Sequence, residues 1–143
     1  MLPYSKNFVV GKNLAYPEHD TYTVYVNLTD GTEIAYFSIT PGNNHTWSMN
    51  ISVEEKYQGL GISAKMIHYC CEQIDQLHVF RDQKLFIDTD ANTDFWVGHL
   101  GMQVNPDLDT PGAEGNGYEL VTTFGHVHEW SIRALESYKR RFN

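Results

Sequence analysis

Apolar and polar positions alternate through Thr21-Tyr22-Thr23-Val24-Tyr25-Val26-Asn27-Leu28, a run rich in β-branched and aromatic side chains. That pattern predicts a strand. Asp30-Gly31 follows as a hairpin turn signal, and Glu33-Ile34-Ala35-Tyr36-Phe37-Ser38-Ile39 is the partner strand. Pro41-Gly42-Asn43-Asn44 breaks the chain. Alternation then resumes from His45 to Val53. His45, Trp47, Met49, Ile51 and Val53 share one face; Thr46, Ser48, Asn50 and Ser52 share the other. Upstream, Asn7–Val10 reads as a short first strand and Gly11 to Asp20 as irregular.

The period changes after two glycines. Met66, Ile67, Cys70, Cys71, Ile74 and Leu77 recur at helical spacing and predict an amphipathic helix from Ser63 to Leu77. Lys84-Leu85-Phe86-Ile87-Asp88 is a short strand of the buried type. Asp90-Ala91-Asn92-Thr93 supplies capping residues for a short helix, Thr93 to His99, that stops near Gly101. Met102–Val104 begins a strand, Asn105 to Asn116 is a loop, and Gly117 to Phe124 is a strand. His126 to Phe142 predicts a last amphipathic helix with Val127, Trp130, Ala134, Leu135, Tyr138 and Phe142 inward. A hairpin followed by strand–helix–strand–helix–strand implies an α/β (α+β) fold on a mixed sheet.

Composition narrows the class. The 143 residues suit one domain, 1–143, and 41% are hydrophobic, enough for a core without staples. No run of roughly 18 apolar residues is present to span a membrane. Met1 to Asn7 lack the apolar core of a signal peptide. Cys70 and Cys71 are adjacent on one helix and poorly placed to bridge each other. A reduced, cytoplasmic protein is expected, so the acceptor-like triplets at Asn27, Asn44 and Asn50 read as chance. The net charge of −8, from 10 Lys+Arg against 18 Asp+Glu, argues against nucleic acid and favours a cationic partner. The basic cluster Lys139-Arg140-Arg141 sits at a helix C-terminus, where positive charge is favourable.

The chemistry concentrates in Gln58-Gly59-Leu60-Gly61-Ile62-Ser63, between a strand and a helix. Glycines let the backbone approach a ligand closely, and the first helical N–H groups lack internal acceptors. Such a loop is an anion cradle and points to a phosphate-bearing ligand.

In this setting Ile51 to Ser63 resembles the acyl-CoA motif of the GNAT superfamily of N-acetyltransferases, Gln/Arg-x-x-Gly-x-Gly/Ala. Gln58 and Gly61 match it, and Ser63 takes the small terminal position. Trp96-Val97-Gly98-His99-Leu100-Gly101-Met102 resembles a second family signature, Phe-Tyr-x-x-Leu-Gly-Phe, and the resemblance covers roughly residues 22–104. It implies a mixed, largely antiparallel sheet with splayed central strands, flanking helices and acyl transfer from acetyl-CoA to an amine. It further implies that Ile51 and Val53 hold the pantetheine arm through their backbone. The amides of Gly59, Leu60, Gly61, Ile62, Ser63 and Ala64 would hold the pyrophosphate. Asn92 or Asp90 would contact the pantetheine.

A base must take the amine's proton, and the family position about a dozen residues before Gln58 falls on His45. Its ordinary pKa of about 6.5 suits that work. The plainer reading is a histidine exposed at a strand start. The family's leaving-group acid, a tyrosine, is replaced by Val97; Tyr118 and Tyr69 are alternatives. The family places two helices between its first strands. Gly11 to Asp20 is too short for them, so the resemblance implies a reduced N-terminal helical region and an open acceptor side, suited to a small amine, a polyamine, or a protruding lysine or N-terminus. The last helix could pack internally or form a homodimer.

Other clusters read as structural. Glu54 and Glu55 solvate a turn, and Asp88, Asp90 and Asp94 cap a helix. His126, His128 and Glu129 are wrongly spaced on a helix to share a metal. Cys70 and Cys71 lie on an apolar face, unsuited to a nucleophile. Trp47, Trp96 and Trp130 read as core. Two rivals to the enzyme remain. One is a catalytically silent acyl-CoA-binding or interaction module of the same fold. The other is a nucleotide-binding protein, which would want a lysine after the second glycine where Ile62-Ser63 stands.

Overall fold

A computed structural model describes residues 4–12, 20–41, 46–75, 81–88 and 92–142. The strands are β1 (Tyr4–Lys12), β2 (Asp20–Leu28), β3 (Glu33–Pro41), β4 (Trp47–Val53), β5 (Lys84–Ile87), β6 (Gln103–Val104) and β7 (Leu120–Thr123). They form one seven-stranded sheet in the order β1-β2-β3-β4-β5-β7-β6. Every neighbouring pair is antiparallel except β4 and β5, which run parallel. Two helices, α1 (Ile62–Asp75) and α2 (Phe124–Phe142), flank the sheet. None of the described helices is long and apolar enough to cross a membrane.

The first half follows the alternation closely. Val24 and Val26 on β2, Phe37 and Ile39 on β3, and Met49 and Ile51 on β4 are buried. The β2–β3 turn closes where Gly31 takes a φ of 90°, which glycine adopts at little cost. Asp30 Oδ1 accepts the Thr32 amide at 2.9 Å. β1 is longer than the sequence suggests because it pairs with β2 from Tyr4↔Leu28 to Lys12↔Asp20. Pairing extends a strand whose own pattern is weak. Residues 13–19, which lie between these paired ends, are outside the described residues.

α1 buries Met66, Ile67, Cys70, Cys71 and Ile74 against β1 to β4. Neither cysteine forms a disulfide among the described residues, and burial pushes the Cys70 thiol up to about 12, which removes it as a nucleophile near neutral pH. Leu77 lies outside the described residues. α2 starts two residues earlier than its pattern, at Phe124, because Thr123 Oγ1 accepts the His126 amide at 3.2 Å and caps the first turn. It takes Phe124 from the expected strand, and β7 also begins later than expected, at Leu120, because Gly117 to Glu119 stay in the preceding loop. α2 runs antiparallel along α1, with Tyr138 beside Gly61 and His128 beside Glu72.

The short helix before Gly101 is a π-helical turn, Asp94–His99, in which the Leu100 amide reaches the Phe95 carbonyl at 3.0 Å. Gly101, at a φ of 77°, ends it, and the Met102 amide closes onto the Trp96 carbonyl at 2.9 Å. Trp96 is fully buried and Trp47 stacks on Tyr22, as core aromatics should.

The loop between β6 and β7 is organised by one buried side chain. Asn105 Nδ2 donates to the Gly115 and Tyr118 carbonyls, each at 2.9 Å, and its Oδ1 accepts the Asp107 amide at 3.0 Å. Thr46 Oγ1 accepts the Gly115 amide at 3.2 Å and ties this loop to the start of β4.

Candidate functional site

The site begins where the parallel pair fails. β4 and β5 are in register only at Trp47↔Leu85 and Ser48↔Phe86. β4 then continues to Val53 on its partner β3, while β5 ends at Ile87. The strands part, and a cavity of about 550 Å³ opens beside the free edge of β4. This is the splay of central strands that the resemblance implied.

A parted strand leaves backbone acceptors that need donors. Two side-chain amides supply them. Asn92 Nδ2 donates to the Ile51 carbonyl at 2.8 Å, and Gln58 Nε2 donates to the Val53 carbonyl at 3.0 Å. Residues far apart in the chain are thereby held on one edge.

The floor of the cavity is the start of α1. Gly59 and Gly61 have φ of 80° and 77°, a region where other residues are strained. Gly61 has a second reason to be glycine: a Cβ there would sit 2.9 Å from Cδ2 of Tyr138. The first turn of α1 carries no acidic residue, so the positive helix end is left uncompensated by side chains of its own. Lys65, in that turn, places Nζ 5.4 Å from the centre of the Tyr138 ring.

Of the residues singled out in the sequence, Ile51, Val53, Gln58, Gly59, Gly61, Ile62, Ser63, Ala64 and Asn92 line this one cavity. Leu60 does not line it; it is half-buried and packs against the hydrophobic core instead. His45 and Asp90 lie outside the described residues. Val97, at the family's acid position, is 46% exposed and is not among the lining residues. The two alternatives are also elsewhere. Tyr69 packs edge-on against Phe8 at 6.4 Å, and Tyr118 lies 5.9 Å from Phe86.

Other side chains line the cavity that the sequence did not single out for it. Tyr57, buried in a short turn (Glu55–Tyr57) before the loop, and Tyr138 on α2 bring hydroxyls. Asp94 and His99, from the π-helical turn, bring titratable groups. Trp130, half-buried against the core as expected, also lines the cavity and meets Phe95 edge-on at 5.6 Å. Tyr138 and Trp130 carried only a helical-face signal in the sequence. Nothing local connects them to Gly61.

The sequence matches no protein-family model and no curated protein. Solved structures do match the fold. An acetyltransferase of the GNAT family from Staphylococcus aureus MU50 superposes with a TM-score of 0.56 at 9% identity, over 84% of this chain and 99% of that one. This chain has the GNAT fold. A GNAT-family N-acetyltransferase from Escherichia coli, solved in complex with CoA, superposes with a TM-score of 0.50 at 16% identity, over 72% of this chain and 58% of that one.

Proposed function

We propose that this protein transfers an acyl group, acetyl in the first instance, from a CoA thioester to an amine. The observation that carries the reading is the cavity beside the parted β4 edge, floored by a glycine loop at an uncompensated helix start. The GNAT fold and the CoA bound to the E. coli neighbour support it.

The backbone at Ile51 and Val53 would pair with the amides of the pantetheine arm, replacing Asn92 and Gln58 side-chain bonds. The amides of Gly59 through Ala64 would hold the pyrophosphate. The amine attacks the thioester carbonyl, the carbon–sulfur bond breaks, and the amine's proton passes to a base. His45 is proposed for that base. Tyr57 and Tyr138 replace Tyr69 and Tyr118 as hydroxyls able to protonate the departing thiolate, because they line the cavity. The net charge of −8 favours a cationic acceptor. The exposed Val97 favours one second reading, a silent acyl-CoA-binding module of the same fold.

Thermal unfolding with acetyl-CoA, CoA and ATP tests the binding half. Acetyl-CoA at 100 times its Kd is expected to add about 2.7 kcal/mol, or roughly 10 °C in Tm, with no such gain from ATP. Equal stabilisation by ATP, or none by either form of the coenzyme, would reject the assignment. Amine acetylation by the bound protein separates the enzyme from the silent module. For the base, His45→Ala is expected to lower turnover by roughly 100-fold or more while acetyl-CoA affinity stays within about twofold. Unchanged turnover would return His45 to an ordinary exposed histidine.

A further inference from the structure

We propose that His68, Glu72 and His128 form a binding site for a divalent transition-metal ion of the zinc class, joining α1 to α2. The site is separate from the acyl-CoA cavity and does not depend on the function proposed for it. His68 and Glu72 stand one turn apart on α1, at the i, i+4 spacing that brings two side chains together. His128 reaches them from α2. Glu72 Oε1 lies 2.8 Å from His128 Nε2 and 3.3 Å from His68 Nε2. All three donor atoms fall within 4.8 Å of one another.

Those separations are close to what an ion requires. Two donors on a tetrahedral zinc, with bonds of about 2.0–2.2 Å, stand roughly 3.3 Å apart. Placing the ion therefore asks for adjustments of about an ångström. Two imidazoles and one carboxylate form a donor set that zinc accepts, with a fourth position left for water. Imidazole nitrogens disfavour magnesium and calcium, which prefer oxygen. The site is anchored on one side and open on the other. The His128 side chain is 9% exposed, whereas those of His68 and Glu72 are 34% and 46% exposed, which gives an ion a path in.

The competing arrangement is a plain hydrogen-bonded trio around one carboxylate oxygen. Both imidazoles aim Nε2 at that same oxygen, so both rings already point toward a common centre. A metal-bound histidine usually anchors its other ring nitrogen. His128 Nδ1 has no partner among the described residues, and its ring is held instead by packing beside Phe124 and His68, at 6.2 and 5.9 Å between centroids.

The neighbours in sequence do not compete for the ion. His126 Nε2 is 2.8 Å from the Leu100 carbonyl, and Glu129 pairs with Arg81 at 2.6 Å. Three residues that look like one cluster in the sequence thus serve three places.

The test uses the whole protein, stripped with EDTA and titrated with Zn²⁺ or Mg²⁺ by calorimetry and thermal unfolding. One Zn²⁺ per chain is expected, with a Tm gain of about 5–10 °C at saturation and none from Mg²⁺. His68→Ala and Glu72→Gln, both at partly exposed positions and so tolerable to the fold, should each weaken Zn²⁺ by at least about tenfold and abolish the Tm gain. Absence of saturable Zn²⁺ binding would overturn the proposal. So would Zn²⁺ affinity that both substitutions leave unchanged, since the ion would then sit elsewhere.

Discussion

Replacing Gly61 with glutamate is expected to weaken acetyl-CoA binding by roughly 100-fold in a protein that still folds. Gly61 sits at a φ of 77°, and any side chain there costs about 1–2 kcal/mol. Its Cβ would meet Cδ2 of Tyr138 at 2.9 Å. Tyr138 is only half-buried and is the flexible partner in that contact, so the fold can yield. The charge is what the ligand cannot accommodate. A carboxylate about 5 Å from a pyrophosphate charge, at an effective dielectric of 20, opposes binding by about 3 kcal/mol, or roughly 100-fold. Gly61→Ala carries the strain without the charge and is expected to lose less than about tenfold. Calorimetric titration with circular dichroism on both variants reads the difference. Wild-type affinity in Gly61→Glu would show that the helix start is not where the anion sits.

Gly115→Ala is expected to cost about 2–5 kcal/mol of stability, far more than an alanine in a surface loop should. Gly115 also has a positive φ, 77°, but here the added Cβ would fall 2.0 Å from Cε1 of Phe86. Carbon atoms rest at about 3.5–4.0 Å. Phe86 is 1% exposed on β5, paired with Ser48 and Val121, and has nowhere to move. The same pair with Ser48 is the last before β4 and β5 part, so the damage reaches the base of the cavity. Gly112→Ala is the matched control. Its φ is 79° with nothing within 4 Å of the added Cβ, so it carries strain alone, about 1–2 kcal/mol. Denaturant unfolding of the two variants isolates the overlap. Equal losses would mean that Gly115 does not press on Phe86.

The resemblance and the pattern together reached most of the fold. Alternation placed β2, β3 and β4, and the helical spacing of Met66 to Ile74 placed α1, because period and turn chemistry are local properties of the chain. β1 runs beyond its own pattern because an edge strand borrows its order from its neighbour. The loop from Gln58 to Ala64 was legible for the same local reason: two glycines and a helix start lie within a few residues. Leu60 was drawn into the site by its neighbours and turns out to serve the core.

The sequence by itself determined the strand and helix order, the glycine loop and its helix start, and the acidic balance of the chain. Each is written in residues that are close together. Only the tertiary structure decided what meets across distance. It set Asn92 on the Ile51 carbonyl, 41 residues away, and His128 on Glu72, 56 residues away. It also laid Tyr138 over Gly61. No local period encodes these contacts, because they follow from the antiparallel packing of α2 on α1 and the parting of β4 from β5, which exist only once the whole core is assembled.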